Sequence, residues 1–78
     1  MFWKKWFRSP AVRELEELAA DMQANLENNY KDAAQDSRRR LKEKLDLFQT
    51  EGKLSAEDYR RFSVLYTEYT ARMTGYKH

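Results

Sequence analysis

Seventy-eight residues without a single cysteine admit one small domain, and exclude disulfides and thiolate metal sites. Charged residues make up 36% of the chain, yet the net charge is only +2, which is not the uniformly basic balance that nucleic acid selects. With His78 as the single histidine, and only Gly52 and Gly75 to build a phosphate loop, the sequence predicts no catalysis, no cofactor, no metal and no small-molecule substrate.

The signs come in blocks that the net value hides. Residues 1–8 carry +3, residues 9–37 carry −5, residues 38–44 carry +4, residues 45–58 carry −3 and residues 59–78 carry +3. Blocks of alternating sign suit helices that lie against one another, or against copies of themselves. No apolar run approaches the ~20 residues of a membrane span, and the start is too short in its apolar part for a secretory signal, so a cytoplasmic protein is expected.

Residues 1–9 read as an arm. Phe2, Trp3, Trp6 and Phe7 fall on one side of a helix, with Lys4, Lys5 and Arg8 on the other. Such an arm can supplement a thin core by packing on the protein's own helices, which is the favoured reading for so short a segment. It can also lie on an anionic membrane surface, or plug a partner's groove with Trp3 and Trp6 as anchors.

Ser9-Pro10 is a helix start. The serine oxygen can accept from an orphan amide, and proline at the first helical position lacks the amide that would be orphaned. Glu14, Glu16 and Glu17 follow where negative charge offsets the macrodipole. From here Leu15, Leu18, Met22, Leu26, Tyr30, Ala33, Leu41, Leu45 and Phe48 recur at helical spacing, with an eleven-residue repeat that stays on one face of a straight helix. No glycine or further proline interrupts them, so the reading is all-α with a continuous helix over 10–51. Asn28-Asn29 is its weak point. A break there gives the alternative, a three-helix bundle over 10–27, 31–51 and 56–73.

Arg38, Arg39, Arg40, Lys42 and Lys44 form a basic patch, a candidate for phosphate backbones. Asp36, Glu43 and Asp46 stand four residues from Arg40, Arg39 and Lys42 respectively, the spacing of local ion pairs, and three consecutive arginines point in three directions. A solvated, self-compensated face is therefore expected, and nucleic acid is not.

Gly52 stands where a left-handed C-cap would sit, Ser55 is placed as the next N-cap, and Leu54 and Tyr59 as a hydrophobic staple. The sequence thus predicts a turn over 52–55 and a fold-back helix over 56–74, an αα-hairpin within a domain over 10–78. Leu41, Leu45, Phe48 and Gly52-Lys53-Leu54-Ser55-Ala56-Glu57-Asp58-Tyr59 resemble the SHOCT-type short helical hairpin, although Phe62-Ser63-Val64-Leu65-Tyr66 replaces its basic-plus-leucine ending. The resemblance implies an interaction or oligomerisation module without catalysis. In the last helix Tyr59, Phe62, Leu65 or Tyr66, Tyr69 and Met73 recur at spacings of three and four. Tyrosines of this kind wall the edge of a core with their hydroxyls in water.

Length turns this architecture into a functional expectation. A continuous helix over 10–51 spans about 60 Å, but a fold-back helix covers only about 27 Å of it. Leu15, Leu18, Met22 and Leu26 would then be left uncovered, and an apolar stripe of that length is an interface. The expected function is a small helical interaction protein that binds a second copy or a protein partner through these four residues, with Trp3 and Trp6. A membrane-surface adaptor led by residues 1–8 and a nucleic-acid binder led by residues 38–44 are the alternatives.

Overall fold

A computed structural model describes residues 9–74. The arm, including Trp3 and Trp6, lies outside the described residues apart from Ser9. Within them the chain is all-helical, with α1 (Pro10–Glu27), α2 (Lys31–Thr50) and α3 (Ala56–Thr74), and no strand. No described helix is long and apolar enough to cross a membrane.

The start of α1 follows from its cap. The Val12 amide donates to Ser9 Oγ at 3.1 Å, and Pro10 opens the first turn. Ala11, Leu15 and Met22 then fall on one face with Leu18 and Leu26 beside them, and this face turns inward.

The continuous helix over 10–51 does not form. Asn29 adopts φ 64°, in the left-handed region. Around it the Asn29 amide donates to the Leu26 carbonyl at 3.1 Å, and the Tyr30 amide to the Asn25 carbonyl at 2.8 Å. This pair of bonds is a Schellman cap, which satisfies two carbonyls that the end of α1 would otherwise orphan. The Asn28 side-chain amide adds a bond to the Ala24 carbonyl at 3.0 Å. Asparagine is among the few residues other than glycine that visit this region routinely, so the chain can turn without glycine or proline. Tyr30 and Ala33, which argued for continuity, are exposed, Tyr30 by 61% of its surface, and Ala34 is buried in their place.

The same device ends α2. Gly52 sits at φ 72°, its amide donates to the Gln49 carbonyl at 3.1 Å, and the Lys53 amide to the Phe48 carbonyl at 2.9 Å. Ser55 Oγ then accepts from the Asp58 amide at 3.0 Å at the start of α3.

Two reversals bring the three apolar faces together. α2 contributes Ala34, Leu41, Leu45 and Phe48, and α3 contributes Phe62, Tyr69 and Met73, with Tyr59, Leu65 and Tyr66 half-buried beside them. One buried polar residue, Ser37, lies on the α1–α2 seam: its hydroxyl donates to Asp21 Oδ2 and accepts from Asn25 Nδ2, each at 3.3 Å. α2 packs along both neighbours, whereas α1 and α3 touch only sparsely.

Because the bundle depends on a left-handed residue at position 29, Asn29→Val should lower stability by about 1–2 kcal/mol, and Asn29→Gly should preserve or raise it. Urea midpoints of the two variants measure this. An unchanged midpoint for Asn29→Val would show that α1 and α2 are not joined by this cap.

Candidate functional site

The stripe expected to form an interface is placed in the core of the single chain. Leu15 and Met22 have no exposed surface, and Leu18 and Leu26 are half-buried against the same cluster. Their predicted exposure depended on the continuous helix and disappears with it. The reversal at Asn29 lays α2 over the half of the stripe that the fold-back helix alone could not reach.

Each member of the basic patch has an acceptor within the chain. Arg39 reaches Asp36 at 2.6 Å and Glu43 at 3.0 Å, Arg40 reaches Asp36 at 3.0 Å, and Lys42 reaches Asp46 at 2.9 Å. These pairs follow the one-turn spacing of a helix. Two other contacts join different helices. Lys44 pairs with Glu14 of α1 at 3.0 Å. Arg38 donates to the Tyr66 hydroxyl at 2.9 Å and to Thr70 Oγ1 at 3.3 Å, with its guanidinium 5.5 Å from the Tyr66 ring centre. Its Nε is buried with no partner among the described residues. Arg38 is therefore a clamp between α2 and α3, its Nη1 donating to both hydroxyls while the guanidinium lies over the Tyr66 ring.

The charge shifts agree with this local compensation. The Arg39 hydrogen bond holds the Asp36 carboxyl below the ordinary aspartate range against an opposing desolvation, and the fields of Arg40 and Arg39 add to the lowering. The reciprocal bond from Asp36, then that from Glu43, raises Arg39, and the Asp46 bond raises Lys42. All of these groups are solvent-exposed, so the pairs contribute little stability and leave little free charge for a polyanion.

Open surfaces that the sequence reading did not single out also lie along α1. Between α1 and α3 runs a groove of about 330 Å³ with Ala19, Ala20, Phe62, Leu65 and Tyr69 along it. Glu16 of α1 and Arg61 of α3 meet at 3.5 Å on its rim. A second groove, of about 420 Å³, lies where the start of α1 meets the end of α2, against Pro10, Ala11, Glu14, Phe48 and Lys53. It shares Glu14 with a shallow depression along the outer face of α1, which holds Glu17, Leu18, Asp21 and Ala24. Among the described residues no cluster of histidine, cysteine or carboxylate side chains could hold a metal ion.

Compared with known proteins, the chain matches no family model, no curated protein and no solved structure. The local resemblance to a SHOCT-type hairpin therefore rests on Leu41, Leu45, Phe48 and the residues of 52–59 alone.

Two measurements follow. Because the folded carboxyl of Asp36 titrates lower than the unfolded one, its contribution to stability is complete above the ordinary aspartate range and is lost as pH falls through the folded value. An NMR titration should show a depressed Asp36 midpoint that rises towards the ordinary value in Arg39→Ala; an equal midpoint in both proteins would remove Arg39 as the cause. Tyr66→Phe should cost about 1 kcal/mol in a urea melt, since it removes one acceptor from a partly buried guanidinium.

Proposed function

We propose that this chain is a non-catalytic helical interaction module that self-associates through the groove between α1 and α3. A cytoplasmic setting suits a chain without cysteine.

The observation that carries this reading is the open seam. Phe62 and Tyr69 are anchored in the core and Leu65 is half-buried along the groove, while the apolar part of the α1 wall is only the methyl groups of Ala19 and Ala20, between Glu16 and Gln23. Apolar walls around a slot between two helices are the usual seat of a third helix. A second copy is the favoured occupant on physical grounds. A chain of this length buries a modest fraction of its surface and has no disulfide to compensate, so pairing two open seams removes more apolar area from water than either chain does alone. Blocks of opposite charge along the chain also allow two copies to meet with complementary fields.

Sedimentation velocity at several concentrations tests the proposal. The wild type should shift from monomer towards a larger species as concentration rises. Ala19→Arg places a long side chain in the groove at little cost in helix propensity, and should hold the protein monomeric with its helical circular dichroism intact. A wild type that stays monomeric into the high micromolar range would exclude self-association. Dissociation of that monomer from a partner protein by Ala19→Arg would transfer the groove to a different occupant.

A further inference from the structure

We propose that the reversal at Asn29 is a hinge, and that two copies of this chain exchange α1 across it to form a domain-swapped dimer. The surface exchanged is the α1–α2 seam, which is independent of the α1–α3 groove.

The hinge is short and strained. Asn29 is the one non-glycine residue with positive φ among the described residues, and it lies in the link 28–30 between α1 and α2. Gly52 makes the equivalent turn with no side chain to strain, in the longer link 51–55. Short links under strain invite exchange, because straightening them relieves the strain and leaves every other contact to be remade. α1 is therefore the element that leaves, and the α2–α3 hairpin stays together. Arg38 holds that hairpin through Tyr66 and Thr70, in bonds that do not involve α1.

α1 packs mainly along α2 and only sparsely on α3. Leu15 and Met22 enter the core, Glu14 pairs with Lys44 at 3.0 Å, and Asp21 and Asn25 hold the Ser37 hydroxyl at 3.3 Å each. An α1 from a second copy carries the same side chains and can make each of these contacts in the same place. Exchange gives up only the bonds of the hinge, from the amides of Asn29 and Tyr30 and the side chain of Asn28. Helical bonds through 28–30 replace the backbone pair.

Phase and register both permit the straightened form. Leu15, Leu26, Ser37 and Phe48 stand at eleven-residue intervals, and all four are buried or half-buried. Eleven residues complete three helical turns to within about 20°, so a straight hinge keeps these positions on one side of the rod. The pairs Glu14–Lys44 and Asp21–Ser37 are both centred on residue 29. Two straightened chains that keep these pairs run antiparallel, with their twofold axis at the hinge. Tyr30 and Ala33, exposed in the single chain, then lie beside that axis, where the second copy covers them. No element of one chain is long enough to cover such a rod, but the same rod of a second copy is.

A zero-length carbodiimide joins Glu14 to Lys44 as an amide and so records whether the two belong to one chain. Equal amounts of isotope-labelled and unlabelled protein are unfolded in urea, refolded together and cross-linked, and the linked peptides are read by mass spectrometry. Mixed-isotope Glu14–Lys44 links should appear after refolding at high micromolar concentration and vanish after refolding at low concentration. Asn28→Ala with Asn29→Ala favours a helical hinge and should raise the mixed fraction several-fold, whereas Asn29→Gly favours the turn and should remove it. Ala19→Arg, which blocks the α1–α3 groove, should leave the mixed fraction unchanged, so exchange and groove association fail separately. Same-isotope links alone in the wild type at high concentration would overturn the proposal. A mixed fraction that Ala19→Arg removes and the hinge variants do not move would overturn it in favour of copies that meet through the groove.

Discussion

A single left-handed residue decides how this chain spends its apolar surface. With Asn29 at φ 64°, the amides of Asn29 and Tyr30 close back onto α1, and the chain leaves in the opposite direction. Were that residue helical, Leu15 and Met22 would stand on a rod far longer than any element able to cover them. With the reversal in place, both lose all contact with water and become the centre of the core. At the usual ~25 cal/mol per Å², burying two such side chains is worth about 3–6 kcal/mol, more than the ~1–2 kcal/mol that a left-handed non-glycine residue costs.

The two reversals in the chain use the same hydrogen bonds, yet only one is conspicuous in the sequence. Gly52 is a glycine after a helical pattern and before a serine cap, and it carries the six-to-one and five-to-two bonds of its motif. Asn29 carries the equivalent pair, but asparagine is also tolerated inside helices, so its presence does not force a turn. Tyr30 and Ala33 added a false signal, since an exposed tyrosine and an exposed alanine happen to keep the apolar phase running. The all-helical class was legible because three- and four-residue spacings persist on both sides of every break. The choice between one long helix and two was not, because it depends on which side of a tyrosine faces water.

The basic patch divides along the same line. Its partners at one-turn spacing, Asp36, Glu43 and Asp46, can be read from the sequence. Lys44 with Glu14, and Arg38 with Tyr66 and Thr70, join residues 28 to 32 positions apart and exist only once the bundle is assembled. Of these, Arg38 is the more consequential. Its guanidinium is drawn into the α2–α3 seam, where a tyrosine offers both a ring face and a hydroxyl. A run of three arginines that resembles a phosphate-binding patch thus sends one member inward and two into local carboxylate pairs. For the same reason the candidate surfaces could not be read ahead of the fold. They are defined by what α1 fails to fill once α2 has closed over it.

The open seam has a topological cause. Each reversal makes neighbours of consecutive helices, so α2 is held against α1 by one cap and against α3 by the other, while α1 and α3 share no connector. Their contact must come from side chains, and of the α1 positions that line the groove, Glu16 and Gln23 are polar and Ala19 and Ala20 offer only short apolar side chains opposite Leu65 and Tyr69. The Glu16–Arg61 pair at 3.5 Å spans the rim, but an exposed ion pair contributes at most about 1 kcal/mol and does not exclude water from the slot beneath it. Larger residues at 19 and 20 would close the bundle on itself. With alanines there, the third seam of the bundle stays available to an apolar surface from outside the three helices.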